Sequence, residues 1–140
     1  MANKVSLENQ ELLGKWICAK TNADYIEQEE QYIGLIDDDN NIVAVTAFSD
    51  YNGASIRMHV AIDGRITREW LRFCYYYPFE QLKVNKVIGL VNSNNKEALR
   101  FDLHMGWVQE AIIKDAAPDG DMYILSMTKE QCRFLRTKFK

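Results

Sequence analysis

The chain has 140 residues, 47% of them apolar and 26% charged, with a formal net charge of −3. That is enough material for one domain with a real core, and the acidic balance argues against a dedicated nucleic-acid binder, which would carry a basic surface. The opening "MANKVSLENQ" lacks an apolar signal core and no run approaches membrane-spanning length, so the expectation is a cytoplasmic protein with no membrane partner.

Cys18, Cys74 and Cys132 are odd in number and widely spaced, which fits neither a disulfide framework nor a zinc site, and no metal is expected. Cys18 and Cys74 sit in apolar stretches and read as small buried hydrophobes. Arg133, Arg136, Lys138 and Lys140 form a small basic end, read as a solvated tail. No repeat or linker interrupts the chain, so residues 1–140 read as a single domain.

In chain order, the stretch from about Glu11 to Lys20 places Leu12, Leu13, Trp16 and Ile17 at helical spacing. "YIGLI" then reads as a strand, "DDDNN" as a turn and "IVAVTAF" as the next strand. "SDYNG" is a second turn, carried by the Asn52-Gly53 hairpin signal, and "ASIRMHVAI" a third strand. Together they predict an antiparallel meander. "TREWLRFCYYYPFEQL" has the apolar density of a packed helix, with Thr67 as N-cap and Pro78 kinking or shortening its last turns.

"VIGLV" is a continuous apolar run, as in a strand buried on both faces. "SNNKEALRFDLHMGW" reads as a helix capped by its Ser/Asn start and ended by Gly106. "WVQEAII" and "DMYILSM" are two more strands around the turn residues of "KDAAPDG", and Thr128 with Gln131 forms a capping box for a short last helix. The strand–helix–strand passage from "MHVAI" to "VIGLV" predicts a right-handed parallel crossover. The fold class is therefore α/β (α+β): a mixed, mostly antiparallel sheet of about six strands with helices on both faces.

Chemistry has four candidate positions. "AIDGRITRE" runs from a strand end through a glycine loop into a helix start. Unpartnered first-turn N–H groups there, with Arg65 and Arg68 beside them, could hold a phosphate; the alternative is an ordinary turn with solvated arginines. His59, on the same strand face as Ser55, Arg57 and Ala61, could act as a general base, or be a half-exposed histidine bonded to its neighbours. Asp102 falls in the middle of an apolar arc of its helix. A carboxylate there needs a partner, a solvated cleft or a role that tolerates a raised pKa, and a buried salt bridge with an arginine is the plain alternative. The cluster Trp70, Phe73, Tyr75, Tyr76, Tyr77 and Phe79 reads as core packing, with a partner surface as the alternative for any exposed part.

The order of elements resembles the GNAT N-acyltransferase superfamily, and within it the ribosomal-protein-alanine-acetyltransferase-like branch, over nearly the whole chain from the first helix to "MYILSM". "NNKEALRFDLHMGW" looks like that family's Asn-opened, Gly-aromatic-closed helix, and "GWVQEAIIKDAAPDGDMYILSM" like its closing hairpin. "HVAIDGRITREW" occupies the place of its pyrophosphate loop. The resemblance implies acetyl-CoA as co-substrate. Val60, Ala61 and Ile62 would lie along its pantetheine arm, Gly64, Arg65, Ile66, Thr67 and Arg68 would hold its pyrophosphate, and Asn95 would contact it.

Two departures stand out. The family's Arg/Gln-x-x-Gly-x-Gly/Ala loop is shortened here and keeps only Gly64, and the position of a tyrosine able to protonate the leaving thiolate is Asp102. The resemblance also extends to small phage-encoded acetyltransferase-like proteins. The expected function is acetyl transfer to a primary amine by direct attack in a ternary complex, with His59 and Asp102 as the catalytic residues. The acceptor, protein or small molecule, is left open, and a homodimer paired through the last hairpin is an open expectation. The alternative is a GNAT-fold binding or structural module with reduced catalysis, for example in a phage particle.

Overall fold

The computed structural model describes residues 2–21 and 31–135. Of the basic end, Arg136, Lys138 and Lys140 lie outside the described residues. The described elements are β1 (Lys4–Ser6), α1 (Gln10–Thr21), β2 (Gln31–Ile36), β3 (Ile42–Ser49), β4 (Ser55–Ile62), α2 (Arg68–Tyr76), β5 (Lys86–Asn92), α3 (Lys96–Met105), β6 (Val108–Ala117) and β7 (Gly120–Thr128). They form a seven-stranded sheet in the order β1-β2-β3-β4-β5-β7-β6.

All neighbouring strands pair antiparallel except β4 and β5, which run parallel on either side of the α2 crossover. The mixed sheet is as expected, with one strand more than the reading of about six. The extra strand is β1, three residues with no apolar alternation, which pairs Lys4 to Ser6 with Ile36 to Gly34 and packs Val5 against the α2 side of the core.

Strand alternation sorts the core into two sides. On one, Leu13 and Ile17 of α1 pack on Tyr32, Val45 and Ala47. On the other, Trp70, Cys74 and Tyr75 of α2 join Ile33, Ala44, Phe48, Met58 and the buried residues of β5 and β7. The partly buried Ala98, Leu99 and Met105 of α3 lean on that second cluster. The helices therefore cover both faces. The expectation that "VIGLV" is buried on both faces is corrected: Val87 and Val91 are buried, but Ile88 and Leu90 are only half-buried. The reason is reach, since α1 packs chiefly against β2, β3 and β4. Farther out, β6 forms the open edge of the sheet and exposes Val108, Ile112 and Ile113.

Local chemistry sets the helix ends. The Thr67 hydroxyl accepts the Trp70 N–H at 3.1 Å and caps α2. Pro78 ends α2 as anticipated: the chain widens into a π-helical turn, Tyr77–Gln81, closed by Leu82 N–H donating to the Tyr77 carbonyl at 3.0 Å. Asn95 caps α3 through its side-chain oxygen, 3.3 Å from the Ala98 N–H. Gly106 ends α3 at φ +109°, a left-handed value that glycine adopts without strain. Thr128 and Gln131 exchange both bonds of a capping box, at 2.9 and 3.2 Å, ahead of a single 3-10 turn, Arg133–Leu135, within the described residues.

Replacing the α2 cap, Thr67→Ala, is expected to lower unfolding free energy by about 1 kcal/mol in denaturant titration, with Thr67→Ser close to the parent.

Candidate active site

The parallel seam between β4 and β5 is short. It holds Ser55 to Lys86, Ile56 to Val87 and Arg57 to Ile88, and then the strands part while each keeps its outer neighbour. The direction of the exposed backbone follows from two bonds. Asp63 N–H donates to the Val43 carbonyl on the β3 side at 2.7 Å, and the Ala54 carbonyl accepts Asn85 N–H on the β5 side at 2.7 Å. Backbone groups alternate sides along a strand, so Met58, Val60 and Ile62 turn their N–H and C=O into the opening. Ala61 turns its own toward β3 and packs its side chain under α1. Of the three residues expected along a pantetheine arm, Val60 and Ile62 thus face the gap and Ala61 does not.

The gap opens into a cavity of about 770 Å3. Its walls are Met58, His59, Val60 and Ile62 of β4, Gly89 to Asn92 of β5, and Asn95, Glu97, Ala98, Phe101 and Asp102 at and along α3. Its floor is Thr46, Trp70, Cys74, Tyr75 and Trp107, and Lys20 and Thr21 reach its rim from the end of α1. The cavity thus brings together His59, Val60, Ile62, Ile66, Asn95 and Asp102 from the sequence-derived set. Gly64, Arg65, Thr67 and Arg68 lie in the loop and helix start that follow β4, outside the lining.

That loop is tightly built. A Cβ on Gly64 would come within 2.8 Å of the Val43 Cβ, so only glycine lets the loop lie this close to β3. Asn3 Nδ2 donates to the Arg65 carbonyl at 2.8 Å, and Lys20 pairs with Asp63 at 2.7 Å. Arg65 and Arg68 are exposed. The Thr67 hydroxyl already serves the Trp70 amide, which leaves the earlier α2 amides for an incoming anion.

Asp102 is half-buried on the cavity side of α3, while Leu103 of the same expected arc is 46% exposed. The salt-bridge alternative is corrected, because among the described residues its carboxylate has no ion pair and no hydrogen bond. Burial alone pushes its carboxyl up to about 6. The aromatic cluster divides: Trp70, Tyr75 and Phe79 are core, and Phe73 and Tyr76 are 43% and 42% exposed. Sequence reasoning passed over the cavity floor. One signal was present, the glycine inside "VIGLV". A Cβ on Gly89 would sit 3.3 Å from the Trp107 ring, so the indole lies against the strand at the point where β4 leaves it.

No protein-family model matches the sequence, and no curated protein matches it either. Solved structures do match by fold. The spermidine/spermine N-acetyltransferase SpeG from Vibrio cholerae, in complex with manganese ions, superposes with a TM-score of 0.75 at 15% identity, covering 98% of this chain and 98% of that one. The spermidine N-acetyltransferase from the same organism in complex with CoA and spermine superposes with a TM-score of 0.64 at 16% identity, covering 84% of this chain and 74% of that one. These enzymes are GNAT superfamily members, and the fold of this chain is the GNAT fold.

The raised Asp102 value has a sign. The group's ordinary value is 3.8, so folding favours its protonated form; that contribution is complete below the ordinary value and is lost as pH rises through about 6. Asp102→Asn is therefore expected to match the parent in stability near pH 3 and to exceed it by about 3 kcal/mol at pH 8, read by denaturant unfolding across pH. A constant difference at all pH values would show that the carboxyl titrates normally.

Proposed function

We propose that the protein is an acetyl-CoA-dependent N-acetyltransferase that moves an acetyl group to a primary amine by direct attack in a ternary complex. The observation that carries this reading is the parting of β4 from β5 after Arg57 and Ile88, which leaves backbone donors and acceptors of Val60 and Ile62 facing a cavity of ligand size. Unpaired strand backbone inside a fold needs a partner, and an extended arm carrying amides, such as pantetheine, fits as an added strand. The α2 N-terminus with Arg65 and Arg68 fits the pyrophosphate at the open end.

In this scheme the Val60 N–H stabilises the oxygen of the thioester carbonyl as negative charge develops on it. His59, on the cavity wall, takes the proton that the attacking amine loses. Asp102, largely ionised above pH 6, holds the cationic acceptor before attack. The structural neighbours named above act on spermidine or spermine, so a polyamine is the first acceptor to assay.

A second reading, a GNAT-fold binding or structural module without turnover, draws support from the loop. Its single glycine is preceded by Asp63, whose carboxylate neutralises Lys20 and opposes an anion.

Calorimetric titration of acetyl-CoA separates the two readings. Micromolar binding is expected, weakened about tenfold or more in an Arg65→Ala/Arg68→Ala protein. Absence of binding at millimolar acetyl-CoA favours the module. With an acceptor in hand, His59→Ala is expected to lower kcat by about 100-fold and to remove the acid limb of its pH profile; an unchanged rate takes His59 out of the scheme.

A further inference from the structure

Trp107 takes no part in the scheme above, yet it walls the cavity where β4 and β5 begin to part. It is 6% exposed. Its indole N–H donates to the Tyr75 hydroxyl at 2.9 Å, which holds the ring by the edge that carries the nitrogen. The benzene edge, away from that nitrogen, lies against β5. A Cβ on Gly89 would meet Trp107 Cζ3 at 3.3 Å, Cη2 at 3.7 Å and Cε3 at 3.8 Å.

Gly89 is the first β5 residue beyond the last pair that the two strands share, Arg57 with Ile88. One step further, the same register sets Met58 level with Gly89. Met58 is buried in the core cluster that also holds Trp107 and Val87, so its side chain and the Trp107 ring stand on the same face of the sheet. Both line the cavity. Together they form its wall at the head of the gap.

In the acetyl-transfer scheme the pyrophosphate lies at the α2 start and the thioester oxygen at the Val60 N–H. A strand advances about 3.3 Å per residue, so the level of Met58 and Gly89 is about 7 Å beyond the level of Val60. Contact with the ring edge takes up about 4 Å of that, which leaves about 3 Å, or roughly two carbon–carbon bonds, beyond the carbonyl carbon.

We infer that Trp107, with Met58 beside it, sets the length of the acyl group: acetyl and propionyl thioesters fit, and butyryl and longer ones meet the ring. The inference rests on the acetyl-transfer reading. The ring has little freedom to move aside. The Tyr75 hydroxyl holds its nitrogen, Gly89 lies along its other edge, and the Tyr75 ring is itself stacked on Phe134 at 5.2 Å between centroids.

Calorimetric titration with acetyl-, propionyl-, butyryl- and hexanoyl-CoA tests this without an acceptor. In the parent, propionyl-CoA is expected to bind within about threefold of acetyl-CoA, and hexanoyl-CoA about tenfold or more weakly. Trp107→Phe has a shorter side chain and draws the wall back. It is expected to bring hexanoyl-CoA within about threefold of acetyl-CoA, with acetyl-CoA affinity itself changed by less than about threefold. With an acceptor, the same change of preference is expected in kcat/KM.

A parent that binds hexanoyl-CoA as tightly as acetyl-CoA has no stop at Trp107. A Trp107→Phe protein that weakens all four thioesters together, or keeps the parent's order of affinities, has lost packing and no more. Either result overturns the inference and leaves acetyl transfer standing. Binding of none of the thioesters by the parent removes the acetyl-transfer reading, and the inference with it. Should Trp107→Phe fail to fold, Met58→Ala, which opens the same wall from β4, is expected to relax the order in the same way, and an unchanged order there is equally decisive against the inference.

Discussion

Three residue pairs join β4 to β5, against six between β4 and β3 and seven between β5 and β7. Each strand is thus committed to its outer neighbour, and the two halves of the sheet follow their own twist once the short parallel seam ends. Trp107, seated against Gly89 just past the seam, occupies space beside β5 that a paired sheet would close over. The cavity, the free backbone of Val60 and Ile62, and the position of every wall residue follow from that parting.

The surroundings of the opening differ at its two ends. At the wide end stand exposed cations, a helix N-terminus and a loop pressed so close to Val43 that its one glycine is obligatory. Past the closed end and along the cavity floor the chain buries aromatic rings and polar atoms together: the Tyr75–Trp107 bond, and Thr46 and Cys74 in contact at 3.1 Å. Asp102 lines the cavity from α3. It is dry enough for its carboxyl to be raised to about 6, and among the described residues no cation pairs with it. A site that is wet and cationic at one end and dry at the other suits a ligand with a charged end and an uncharged reactive end.

The Lys20–Asp63 pair links the end of α1 to the loop after β4 across 43 positions of sequence. Both side chains are largely exposed, so the pair adds little to stability. Its weight is electrostatic. It brings a carboxylate next to the amides that an anion would use, which is the physical content of the rivalry between an enzyme and a binding module.

Much of the architecture could be read from residues alone. The meander, the α2 cap at Thr67, the Pro78 break and the α3 stop at Gly106 depend on local backbone chemistry, which a sequence displays directly. The oddity of Asp102 was legible too, because a carboxylate inside an apolar arc conflicts with helical periodicity wherever the helix packs. What covers β5, which of Val60, Ala61 and Ile62 faces the gap, and the meeting of Tyr75 with Trp107 were not legible. Burial of β5 depends on how far α1 reaches, backbone direction depends on which strand lies on each side, and the Tyr75–Trp107 bond joins residues 32 positions apart. Local chemistry therefore determined the elements of this protein, and long-range packing, which no short stretch encodes, decided the site.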